Sequence, residues 1–233
     1  MPDFDELQLP DDFSGIVRLF PLPNFVMFPG AIKALHIFES RYCEMLEDAM
    51  VTDRLIAMSL LEPGWEPDYD SRPAVAPVVC IGRVATHAPA KDDKHNILLA
   101  GLCRARIKRE TPATRSFRTV EVELLHDDYS GSGAQRRPEL RRELVEFFRK
   151  QMPQSTEVQK QFEQLLASQI PLGSLTDIVA FAVDLDVKVK QQLLSNTDVD
   201  QRAEVLLQEL RLLNESQGND SEPWTFPPKF SEN

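Results

Sequence analysis

Four histidines and three cysteines are the side chains of this 233-residue chain best suited to nucleophilic or metal chemistry. They are His36, His87, His95, His126, Cys43, Cys80 and Cys103. None belongs to a His-Glu-x-x-His run, and no two histidines are spaced to share a helix face around a metal. The cysteines include no Cys-x-x-Cys pair and are odd in number, so neither a disulfide framework nor a zinc site is expected, and a reducing cytoplasm fits best. His36 lies seven residues before Cys43. One reading is the dyad of a small cysteine hydrolase. The other is a small buried thiol near a strand-end imidazole, which the sequence favours. Gly-x-Ser-x-Gly is absent, so no strand-to-helix turn presents a serine nucleophile. None of the nine glycines precedes a lysine, which removes the phosphate loop Gly-x-x-x-x-Gly-Lys-Ser/Thr. Gly-x-Gly-x-x-Gly is missing too. The acid pairs Asp92-Asp93 and Asp127-Asp128 fall in predicted loops, where they serve turns and solvation. No catalytic residue, metal or cofactor is expected.

Charge narrows the partners. The formal net charge is −11, which opposes binding to a phosphate backbone. Arg104, Arg106 and Lys108 would share one strand face, and they motivate an alternative reading as an RNA-binding protein. An ordinary solvated sheet surface is the reading the sequence favours. Runs such as Asn96–Ala100 are far too short to cross a bilayer, and the acidic start carries no signal-peptide pattern.

These residues must be positioned by two kinds of element. Strands are predicted at Ile16–Phe20, ending at Pro21 and Pro23, then at 31–37, 54–61, 78–86 and 119–125. Two further stretches, 97–100 and 102–110, are joined through Gly101. Tyr42, Met45, Leu46, Ala49 and Met50 recur at helical spacing between about 39 and 53, with Ser40, Arg41 and Glu44 on the opposite, wet face. Gly82 inside its strand suggests a bulge or close backbone approach. Residues 62–77 read as a loop and Lys91–Lys94 as a hairpin tip. After a flexible Ser-Gly-Ser-Gly linker at 130–133 the pattern becomes helical: 137–151, 156–168, 175–183, 187–194 and about 199–214. Ser174 with Asp177 resembles a capping box, and Asp198 is a plausible N-cap. The expected organisation is a β subdomain at 13–129, a helical bundle at 134–214, and tails at 1–12 and 215–233.

Several runs carry a family resemblance. Phe20-Pro21-Leu22-Pro23-Asn24-Phe25-Val26-Met27-Phe28-Pro29-Gly30, followed by Leu35-His36-Ile37-Phe38-Glu39-Ser40-Arg41-Tyr42, resembles the opening of the Lon protease substrate-binding domain. Ile81–Ala85, Gly101–Ile107, Leu175–Ala180 and Lys190–Leu194 are similar to later segments of that family, in the same order. The resemblance covers about residues 14–213. It implies an α+β fold, with a PUA-like β-barrel carrying one helix and then an α-helical bundle. It also implies a stand-alone, non-enzymatic member without ATPase or peptidase domains, recruiting unfolded or tagged polypeptides as an adaptor or regulator beside a protease or chaperone. The resemblance assigns neither an oligomeric state nor a membrane.

Two surfaces could bind a peptide. Phe25, Met27 and Phe28 either form an exposed apolar patch or plug one end of the barrel, with at least two of them buried. Ser40, Arg41 and Glu44 on the wet helix face are the second. Pro29, Gly30, Glu39, Gly82 and Gly101 are read as structural, with Glu39 placing a charge at the positive end of the helix, worth about 0.3–1 kcal/mol.

Overall fold

The computed structural model describes residues 8–69, 71–151 and 170–217. Six strands form one sheet: β1 (Ile16–Leu22), β2 (Ile32–Ile37), β3 (Leu55–Leu60), β4 (Val78–Pro89), β5 (His95–Glu110) and β6 (Arg118–Leu125). The order is β2-β5-β4-β3-β1-β6, and β6 also pairs with β5. That extra pairing closes β1, β3, β4, β5 and β6 into a barrel and leaves β2 outside the ring. Closure is possible because β5 is long. Its first half, His95–Ala100, pairs with β2, whereas Arg104–Glu110 pairs with β6. Alternating residues fill the interior, among them Leu19, Leu55, Ala57, Val79, Ile81 and Val120.

β1 runs on through Pro21 to Leu22 rather than stopping at Phe20. Its pairing with β6 ends at Leu19, so Pro21 has β3 on one side and no second ladder to interrupt. The 97–110 region is one continuous strand. Asp92 and Asp93, both at positive φ, turn the β4–β5 hairpin as its primed two-residue tip. The start of the chain is less detached than expected, since Leu9 packs against the barrel core.

Helix α1 (Ser40–Met50) buries Tyr42, Met45, Leu46 and Ala49, the face its periodicity marks. Arg18 of β1 fastens its far end, donating to the Asp48 carboxylate at 2.5 Å, to Asp53 at 2.6 Å and to the Leu55 carbonyl at 3.2 Å. Four further helices occur among the described residues: α2 (Arg137–Gln151), α3 (Leu172–Ala182), α4 (Val187–Ser195) and α5 (Val199–Gln217). The predicted helix at 156–168 lies outside the described residues. Gly131–Gly133 forms a short 3-10 turn where the sequence suggested a flexible linker. The Arg137 guanidinium donates to Ser130 and Asp200 there.

The chain divides into two compact units. One holds residues up to His126 together with Asp186–Ser195; the other holds Asp127–Leu185 and the segment from Asn196. Helix α4 thus groups with the barrel, whereas the sequence reading placed it in the bundle. Gln191 donates to the Val78 carbonyl at 2.9 Å, and Arg104 donates to the Leu194 carbonyl at 3.0 Å. In the second unit Leu144, Leu175, Val179, Leu206 and Leu210 are buried. Arg202 is fully buried too, bonded to Asp127 and to the Asn196 carbonyl. Helix α3 starts three residues earlier than expected, after Pro171. Ser174 is therefore inside the helix, and Asp177 faces Arg202 instead of closing a capping box. Asp198 does cap α5, accepting from the Gln201 amide at 3.0 Å.

Candidate functional site

The apolar connection between β1 and β2 folds inward. Val26, Met27 and Phe28 are buried, Phe28 completely, so Met27 and Phe28 present no surface to a peptide. Three apolar side chains in succession gain more from burial than from water. Phe25 remains half-buried, with the Lys33 ammonium 5.3 Å from its ring centre. Burial lowers the Lys33 pKa. The turn at Pro29-Gly30 needs glycine because Gly30 has φ 76°. Gly101 needs to be small for another reason. Its amide donates to the Ala31 carbonyl at 2.8 Å, and an added Cβ would strike the Phe28 carbonyl. Gly82 lies at a shift in the β4–β5 register, opposite Gly101.

The first turn of α1 does assemble a polar cluster, though not an open helix face. Glu39 is the N-cap but makes no capping bond; its carboxylate turns to side chains instead. It accepts from Arg41 at 2.9 and 3.0 Å and from the Tyr69 hydroxyl at 2.5 Å. Arg41 also donates to the Tyr69 carbonyl at 3.0 Å and sits 4.7 Å from the ring centres of both Tyr42 and Tyr69. Burial opposes the Arg41 charge, yet Tyr42 and Glu39 together raise its pKa. Burial, reinforced by the bond to Glu39, pushes the Tyr69 phenol up. Arg41 is thus held by two aromatic rings and along its edge by Glu39. Ser40 is exposed, and Glu44 accepts from Ser116 at 2.5 Å.

Beside this cluster lies a small cleft of about 30 Å³ that opens to solvent. Its outer wall is the 62–77 connection, a loop by its sequence. That loop supplies Tyr69, Ser71, Arg72 and Pro73; β1, α1 and β6 supply Pro21, Tyr42 and Arg118. Arg118 is nearly buried, donating to the Pro73 carbonyl at 2.8 Å and to Glu110. Arg72 meets the same Glu110 carboxylate at 3.2 Å. The length of the loop, with aromatic, proline and arginine residues close together, was the available signal.

Two other expectations change. The His36 ring is engaged with Asn96 at 2.8 Å, and the Cys43 thiol faces the Ile37 and Asp93 carbonyls. Burial, then Glu47 and Asp93, raise the Cys43 pKa, the opposite of an activated thiolate. The basic strand face is broken as well. Arg104 is 4 % exposed and bonded inward, leaving Arg106 and Lys108 at the surface. Cys43, Cys80 and Cys103 are all free thiols. Among the described residues, no group of three metal-ligating side chains converges, and no helix is long and apolar enough to cross a membrane.

Comparison with known proteins adds the remaining constraint. A family model described as "ATP-dependent protease La (LON) substrate-binding domain" matches residues 16–211. The Lon protease of Anaeromyxobacter dehalogenans (strain 2CP-C) is 25% identical over 206 residues, 85% of this chain and 23% of that protein. Lon protease 2 of Myxococcus xanthus is 24% identical over 207 residues, 85% of this chain and 24% of its own length. The chain therefore spans about a quarter of the length of the curated relatives it matches. Two solved structures share its α+β fold. The N-terminal domain of Mycobacterium avium complex Lon protease superposes with a TM-score of 0.64 at 15% identity, covering 84% of this chain and 98% of that one. A Lon N-terminal domain protein from Xanthomonas campestris gives 0.58 at 20% identity, covering 83% and 97%.

Proposed function

The chain belongs to the ATP-dependent protease La (LON) substrate-binding domain family, and from that membership we propose that it is a non-catalytic module that recognises unfolded or tagged polypeptides. The observation that carries this reading is the extent of the family match, which takes in both compact units. The chemistry around α1 supports it. Arg41 and Arg118 are spent on fixed partners, the Cys43 thiol is held protonated, and His36 is tied to Asn96. Such groups shape a surface and do not activate a nucleophile. On this reading the chain serves as an adaptor or regulator and delivers polypeptides to a protease or chaperone in a reducing, cytoplasmic setting.

The test is direct binding of the full chain to a heat-denatured, fluorescently labelled protein and to the same protein in its native state. Micromolar binding to the denatured form, with little to the native form, is expected. Equal binding to both, or to neither, removes the recognition reading.

A further inference from the structure

We infer that the pocket between α1 and the 62–77 connection receives the C-terminal carboxylate of a polypeptide, with Arg72 as its ion-pair partner; this rests on the recognition reading above and names what is recognised. The first ground is charge. The whole chain carries −11, yet among the described residues the pocket lining includes three arginines, Arg41, Arg72 and Arg118, and two serines, against the two carboxylates bound to those arginines, Glu39 and Glu110. A local reversal of that kind selects an anion.

The second ground is which donors remain. Arg41 spends its guanidinium on Glu39 and the Tyr69 carbonyl. Arg118 spends its own on Glu110 and the Pro73 carbonyl. Arg72 makes one bond, at 3.2 Å to Glu110, and its side chain is 37% exposed. It keeps four of its five N–H groups, whereas Arg41 and Arg118 each keep two, so Arg72 holds the largest unspent set of the three. A guanidinium edge is matched to the two oxygens of a carboxylate.

The third ground is shape and charge number. Pro21, Pro73, Tyr42 and Phe117 give the pocket apolar walls beside Arg72. They suit a ligand with one carboxylate next to an apolar side chain, which is what an apolar C-terminal residue offers. Among the described residues the three arginines outnumber Glu39 and Glu110 by one, and that one positive charge balances one negative charge. A phosphate dianion would sit close to Glu110 without enough positive charge to offset both.

The experiment measures anisotropy of a short fluorescein-labelled alanine–leucine peptide with a free C-terminus against the same peptide as its C-terminal amide, using the full chain. The free acid should bind about tenfold more tightly, the value of one charge-assisted bond, and acetate at equal concentration should not displace it. Arg72→Ala should weaken the free acid about tenfold and leave the amide unchanged, with Arg72→Lys in between. Equal binding of acid and amide overturns the proposal on the wild-type chain, whatever the variants do. Displacement by acetate overturns it in favour of a small-anion site, and so does an Arg72→Ala chain that is folded by circular dichroism and binds normally. If these fail while denatured protein still binds, the pocket assignment falls alone. If denatured protein fails too, the recognition reading falls with it.

Discussion

Two connections of the barrel unit carry large apolar or aromatic residues between prolines, and they have opposite fates. The β1–β2 connection puts Val26, Met27 and Phe28 into the core. The β3–β4 connection leaves Trp65 and Tyr69 half-exposed and Arg72 exposed. The first is short and its residues are almost all apolar, so burial costs few polar groups. The second mixes aromatic rings with Glu66, Asp68 and Arg72, whose charges hold it at the surface. Density of apolar residues marks a plug. A long loop mixing rings, prolines and charge marks a wall that a ligand can reach.

The sharpest way to break that contrast is Phe28→Ala. The side chain is fully buried, and the Gly30 amide bonded to the Gly101 carbonyl beside it limits how far the chain can close on the cavity its removal leaves. Unfolding in urea should show a loss of about 3–5 kcal/mol. A loss under about 1 kcal/mol would mean that the connection is a surface patch after all.

The closed side should also show itself through pH. Cys103 packs against the barrel core, and burial raises its thiol from 9.0 to about 11, with Arg104 opposing. The unfolded thiol loses its proton first. Stability from this residue is therefore complete below pH 9 and is lost as the pH rises toward 11. The loss should be about 1–3 kcal/mol. Cys103→Ala removes this contribution, so wild type and variant should converge across that window. Parallel pH profiles would show that water reaches Cys103 freely.

Much of the fold is legible in the chain. The alternation of Val120 and Val122 with Glu121 and Glu123 marks β6, and the spacing of Tyr42, Met45, Leu46 and Ala49 marks α1. What stayed hidden depends on partners distant in sequence. Pro21 could continue β1 because β6 stops pairing at Leu19. Arg104 reads as surface charge until α4 offers the Leu194 carbonyl. Of the residues singled out for a peptide, Arg41 lines the pocket, whereas Met27 and Phe28 are buried. Tyr69 and Arg72 were missed because a loop has no periodicity, and they are brought there by Glu39 and Glu110.

The smallest effect, and the finest check on the open side, is Tyr69→Phe. The change deletes the hydroxyl that donates to Glu39 and keeps the ring over Arg41 and edge-on to Trp65, 5.3 Å between centres. Glu39 still holds two bonds from Arg41, and water can reach this half-exposed group, so no carboxylate oxygen is stranded. The cost should be about 1 kcal/mol or less. Trp65 fluorescence, read in a Trp224→Phe background that leaves one tryptophan, should stay close to that of the parent. Tyr69→Ala should cost more and shift that emission, because one of the two rings on Arg41 and the partner of Trp65 both go. If Tyr69→Phe destabilises as much as Phe28→Ala, the 62–77 wall is core rather than surface. The contrast between the two connections would then rest on length alone.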